Sequence, residues 1–255
     1  MSSIFDSPEF NDNLFFPRPD YDRVPPNCED FMVKVDSGVE IHLRRHLAPS
    51  GRFSLLYFHG NGEVVADYDG LANRFSEIGA ELIVADYRGY GKSSGQPTLR
   101  SALKDSVSIF DFLKERNIFQ EKICVMGRSL GSASAIELVL KRSGISACII
   151  ESGYADPIPL VERRGLRIEA TTAEEDALFN NSVKIRNIKC PLFIMHGKMD
   201  SLISPKEALL NYRQSGSEKK ELELFEGVGH NDILMADGDG YFIRLSKFLE
   251  NTVGI

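Results

Sequence analysis

The 255-residue chain has no surplus of positive charge: 30 lysines and arginines stand against 37 aspartates and glutamates, for a net charge of -7. Binding nucleic acid means neutralising phosphates with clustered basic residues in excess, so no nucleic-acid partner is expected. Cysteine is scarce too, with four residues and no pair at CxxC or metal-ligand spacing. No metal is therefore expected. Cys124, Cys148 and Cys190 each lie within or beside an apolar run, where free cysteine behaves as a small hydrophobe, which fits a reducing compartment. Also missing is any apolar stretch long enough for a membrane span. The start, MSSIFDSPEFNDNLFFPRP, lacks the basic onset and continuous apolar segment of a signal peptide. The expectation is a cytoplasmic protein with no membrane span, and neither internal repeats nor low-complexity tracts interrupt it.

Hydrophobic residues at 42% and charged residues at 26% match an ordinary globular protein, and the length suits one α/β domain. Residues 1–30, with prolines at 8, 17, 19, 25 and 26, read as an irregular arm packed through Phe15, Phe16 and Tyr21. From Phe31 the period-two pattern of FMVKV and VEIHLRRHL around Asp36-Ser37-Gly38 predicts a hairpin. The runs SLLYFHG, ELIVADY, KICVMG, ACIIES, PLFIMHG and LELFEG are then separated by segments of helical period. Continuous apolar runs are what strands buried on both faces look like. A mostly parallel sheet with an N-terminal antiparallel hairpin and helices on both faces follows for residues 31–255.

Leu99, Leu103, Val107, Phe110 and Leu113 make one apolar stripe after Thr98, and Phe242, Leu245, Phe248 and Leu249 make another between Gly240 and Asn251. Ser204-Pro205-Lys206-Glu207 and Thr172-Ala173-Glu174-Glu175 both have the pattern of a capping box. Residues 153–189 carry no strand signal and read as a short cap over the sheet.

The chemistry is signalled by CVMGRSLGSASAIEL. Gly127-Arg128-Ser129-Leu130-Gly131 stands between a predicted strand and a small-residue helix, the setting of a G-x-S-x-G nucleophile elbow that lifts a serine hydroxyl above the sheet. Such a serine needs a base to take its proton and an acid to hold that base in one tautomer, both at later strand ends. PLFIMHGKMD supplies Asp200 and LELFEGVGHND supplies His230. An oxyanion hole needs two backbone amides: Leu130, just after the serine, and Asn61, in the HGNGE loop after the first parallel strand.

HGNGE, DYRGYGKSSGQPT, GRSLGSA, HGKMD and GVGHND are similar, in order and placement, to motifs of short-capped serine hydrolases, and past residue 30 the chain resembles the α/β-hydrolase superfamily. The resemblance implies an α/β-hydrolase fold with a short cap insert, Ser129, Asp200 and His230 as a catalytic triad, Asn61 and Leu130 as the oxyanion hole, and no cofactor. A cofactor-independent serine hydrolase is expected, carboxylesterase-like, acting through an acyl-enzyme on a small-molecule ester or thioester. A serine aminopeptidase or oligopeptidase-like amide hydrolase is the alternative. A non-catalytic receptor on the same fold is the other class, which such an intact triad disfavours.

Around this core the bland readings differ. Glu151 and Asp232 rival Asp200 as the acid, and Glu63 either faces the acyl pocket or is a solvated loop carboxylate. His59 and His196 read as loop-orienting residues, and Asp86 and Arg88 as braces of a turn. Arg163, Arg164 and Arg167 in ERRGLRIE form either a solvated basic face or a site for an anionic substrate group.

Overall fold

The computed structural model describes residues 3–255. Its eight strands are β1 (Cys28–Asp36), β2 (Val39–His46), β3 (Phe53–Phe58), β4 (Ala80–Ala85), β5 (Lys122–Arg128), β6 (Ala147–Glu151), β7 (Leu192–Gly197) and β8 (Lys220–Phe225). They form one sheet in the order β1-β2-β4-β3-β5-β6-β7-β8. The β1–β2 hairpin joins β4 antiparallel, and every pairing from β4 to β8 is parallel, as the sequence pattern predicts.

The helices are α1 (Pro8–Leu14), α2 (Ala72–Glu77), α3 (Leu99–Glu115), α4 (Gly131–Lys141), α5 (Ile158–Glu162), α6 (Ala173–Phe179), α7 (Asn181–Lys184), α8 (Pro205–Gln214), α9 (Ile233–Asp237) and α10 (Asp239–Val253). Side chains alternate across each strand, so one run feeds two cores. Leu55 and Tyr57 of β3, Cys124 and Met126 of β5 and Ile149 of β6 face α2 and α10. Their neighbours Leu56, Phe58, Val125 and Ile150 face α3, α4 and α8.

A third apolar cluster lies against the chain's N-terminal segment and the insert after β6. It corrects the expected contacts of the arm: Phe15 is buried, but Phe16 and Tyr21 are exposed, and Phe5, Phe10 and Leu14 do the packing. The reason is local. Pro8 stands in the first turn of a helix capped by Ser7, whose side chain accepts a hydrogen bond from the Phe10 amide, and this puts Phe10 and Leu14 one turn apart on the same face. Phe5 stacks on Phe179 of α6 with ring centroids 4.3 Å apart, which fastens the arm to the insert.

Thr172 forms its capping box with Glu175. Ser204 caps α8 through the Lys206 amide, but Glu207 does not complete the box. Its carboxylate accepts instead from the Ala155 amide at 2.8 Å, because the insert leaves β6 there with an orphan donor. The described cysteines are all free thiols. No described helix is long and apolar enough to cross a membrane.

Candidate active site

β5 ends at Arg128 and α4 begins at Gly131, so the chain must reverse within two residues. Ser129 takes a left-handed φ of +50°, a conformation that costs about 1–3 kcal/mol at a non-glycine residue and persists only where its surroundings enforce it. The flanking glycines make that possible. A β-carbon on Gly127 would stand 2.3 Å from the Gly131 carbonyl oxygen, and one on Gly131 would stand 2.0 Å from the Phe58 carbonyl oxygen, both closer than atoms can pack. The Ser129 amide donates to the Glu151 carbonyl at 2.8 Å, which ties the corner to β6.

The loop after β8 brings His230 to this corner, with Nε2 at 2.9 Å from Ser129 Oγ. On its other side, Nδ1 lies 2.7 Å from Asp200 Oδ2, carried by the loop after β7. Asp200 Oδ1 accepts from the amides of Leu202 and Ile203 at 2.9 and 2.8 Å. His196 Nε2 also approaches Oδ2, at 3.1 Å. Burial opposes ionisation of Asp200, yet the hydrogen bonds from His196, His230 and the Ile203 amide outweigh it and hold this carboxyl well below the usual carboxylate range. The rival acids are occupied elsewhere. Glu151 accepts from the Tyr241 hydroxyl at 2.6 Å, and Asp232 from the Gly229 amide at 3.2 Å.

Asn61 and Leu130 border the same small cavity as Ser129, about 30 Å³ in volume and closed by Leu14, Leu160, Leu202 and Ile203. Among the described residues, neither backbone amide donates to any protein group. The Asn61 side chain is committed to the arm, donating to the Leu14 carbonyl at 2.6 Å and accepting from the Phe16 amide at 2.9 Å. Behind this loop, buried Asp86 accepts from the Val65 amide and lies 3.1 Å from His59 Nε2, while His59 Nδ1 is 2.8 Å from the Gly60 carbonyl.

Sequence reasoning missed Arg128. Its guanidinium binds Glu63 on the loop after β3, reaches Asn231 beside His230 at 2.6 Å, and lies 3.3 Å from Glu151 on β6. One part-buried cation thus joins two loops and the end of β6 around Ser129. Glu63 is no solvated carboxylate: it also accepts from the Gly60 amide and the Tyr68 hydroxyl, both at 2.7 Å. Burial opposes its ionisation, but Arg128 leads the groups that hold its pKa below the ordinary value. The only hint in the sequence was a charge directly before Ser129, at the end of a strand whose middle is apolar.

A cavity of about 480 Å³ is bordered by Tyr57, Glu63, Arg128, Asn231 and Tyr241, with Asn61 shared between it and the small cavity that Ser129 borders. A larger depression of about 960 Å³, bordered by Glu137, Arg142, Lys184 and Lys189, holds none of these groups. The arginines of the insert are dispersed. Arg163 donates to the carbonyls of Ser201 and Leu202, and Arg164 to that of Asn13, with its guanidinium 4.3 Å from the Phe16 ring centre. Arg164 borders the small cavity, whereas Arg167 is exposed.

Comparison with known proteins gives a consistent picture. A hydrolase family model described as serine aminopeptidase, S33, matches residues 50–175. The chain is similar to protein bem46 of Schizosaccharomyces pombe, with 33% identity over 92% of this chain and 78% of that protein. It is also similar to human alpha/beta hydrolase domain-containing protein 17C, with 31% identity over 80% of this chain and 60% of that longer protein. Among solved structures, the Pyrococcus furiosus esterase Pf2001 superposes with a TM-score of 0.77 at 19% identity, over 92% of this chain and 98% of the esterase. Est1E of Butyrivibrio proteoclasticus, solved with ferulic acid bound, gives 0.69 at 19% identity, over 88% of this chain and all of Est1E (100%).

Proposed function

Because the chain belongs to the α/β-hydrolase superfamily, we propose that it is a cofactor-independent serine hydrolase that cleaves short-chain carboxylic esters of small molecules. The observation that carries this reading is the placement of His230 Nε2 at 2.9 Å from Ser129 Oγ while its Nδ1 faces Asp200. Ser129 attacks the ester carbonyl as His230 takes the hydroxyl proton, and Asp200 stabilises the imidazolium that forms. The carbonyl oxygen becomes an oxyanion held by the amides of Leu130 and Asn61. One such interaction is worth about 3 kcal/mol of transition-state stabilisation. Collapse expels the alcohol, which receives the proton from His230, and leaves an acyl-Ser129. Water then repeats the sequence and frees the acid.

Two cavities of unequal size near the catalytic serine support a division of the substrate between them. A space of about 30 Å³ beside Ser129 holds about two waters, enough for an acetyl-sized acyl group. The cavity of about 480 Å³, which meets the small one at Asn61, takes the larger alcohol. The match to the serine aminopeptidase model favours amide cleavage as the second reading. The experiment is hydrolysis of p-nitrophenyl acetate and of aminoacyl anilides, together with covalent labelling by a fluorophosphonate. Ester turnover and labelling are both expected to vanish in Ser129→Ala, and activity that survives that change refutes the nucleophile. Anilide cleavage outpacing ester cleavage selects the second reading.

A further inference from the structure

In the antiparallel β1–β2 pair Cys28 lies directly opposite His46, so their side chains leave the same face of the hairpin. Asp69 arrives there from the end of the 3-10 turn Val65–Tyr68 that follows the oxyanion loop. The ligand atoms of Cys28, His46 and Asp69 all lie within 4.8 Å of one another. Tetrahedral ligation of a zinc ion separates its donors by about 3.5 Å, a difference that side-chain rotation covers.

The surroundings prepare these atoms. His46 Nε2 already points at Asp69 Oδ1, 2.8 Å away. The other oxygen, Asp69 Oδ2, accepts from Arg44 Nη1 at 2.8 Å. Arg44 is fully buried and grips Asp30 with Nε and Nη2 at 2.7 and 3.0 Å, so it cannot swing away. One carboxylate oxygen is thereby anchored and the other faces His46, the arrangement in which outer contacts orient metal ligands.

We propose that Cys28, His46 and Asp69 bind a zinc ion, with water as the fourth ligand, and that the ion ties the outer hairpin of the sheet to the turn behind the oxyanion loop. A thiolate, an imidazole and a single carboxylate are a donor set for zinc rather than for magnesium or calcium, which take oxygen ligands. Two anionic ligands balance the dication, and Asp30 balances Arg44. A coordinating thiol is deprotonated, so binding releases the Cys28 proton to solvent. Cysteine spacing along the chain gives no sign of this site, because its three ligands come from two strands and a turn.

Cobalt(II) titrated into the chelator-treated full chain tests the proposal, since cobalt replaces zinc and reports a sulfur ligand through a near-ultraviolet charge-transfer band. The wild-type protein is expected to bind one equivalent with that band and to release protons as it does so. Cys28→Ser should lose the band, and His46→Ala should bind at least about tenfold more weakly. Ser129→Ala should bind like the wild type, which separates this site from the hydrolytic one. A folded wild-type chain that takes up no cobalt overturns the proposal, as does a charge-transfer band that survives in Cys28→Ser.

Discussion

The small cavity beside Ser129 allows a quantitative forecast for Leu14→Ala. Leu14 is 2% exposed and forms part of the wall of a space of only about 30 Å³. Trimming it to alanine removes an isopropyl group and makes room for about two further acyl methylenes, each worth about 0.8 kcal/mol when buried. Butyrate then gains about 1.6 kcal/mol over acetate in the transition state, roughly fifteenfold in the ratio of their kcat/KM values. The same truncation costs about 2–5 kcal/mol of stability, so the assay is paired with a denaturation curve showing that the variant is folded. The measurement is kcat/KM for p-nitrophenyl acetate, butyrate and hexanoate in both proteins. A folded variant whose butyrate-to-acetate ratio stays within about twofold of wild type refutes the assignment of the acyl group to this cavity.

Arg128→Met leaves Glu63 and Glu151 without their shared cation, and breaking a buried pair from one side costs about 3–5 kcal/mol. The urea midpoint should fall accordingly, and adding Glu63→Gln should recover part of the loss. A wild-type midpoint in Arg128→Met means that the cluster is effectively solvated. Asp200→Asn should depress ester turnover by about 10⁴-fold, because an amide that donates to His230 Nδ1 fixes the tautomer whose Nε2 already carries a proton and cannot take that of Ser129. It should also change the response of stability to acid. The Asp200 pKa is lower in the folded chain than in the unfolded one, so its contribution is complete above the unfolded value of about 3.9 and is lost as pH falls towards the folded value. Unfolding free energies of variant and wild type should therefore differ at neutral pH and converge below about pH 4. A gap that stays constant on acidification contradicts the depressed pKa.

The strands were legible because a parallel sheet buried on both faces demands uninterrupted apolar runs, and a turn that buries no side chain at 127 or 131 demands glycine there. The order of Ser129, Asp200 and His230 along the chain was legible for the same reason, each standing just beyond a strand end. What stayed hidden depends on contacts between distant segments. The prolines of the arm concealed α1, because Pro8 starts a helix as readily as it breaks one. Phe16 and Tyr21 were no less apolar than Phe10, and only the helix decides which of them faces inward. Glu207 had the right spacing for a capping box, and a backbone amide 52 residues away claimed it. Two of the partners of Arg128, Glu63 and Asn231, lie 65 and 103 residues away, beyond the reach of any local pattern.

The sorting of alternate residues into two cores carries an evolutionary consequence. An insertion or deletion of one residue inside β3, β5, β6 or β7 would turn every later side chain of that strand onto the wrong face, exchanging rings meant for α10 with aliphatic groups meant for α4. Lineages can lengthen, shorten or rewrite the segments after these strands without such a penalty. Those segments hold the reactive groups, so new specificities are free to arise over a framework whose spacing is locked.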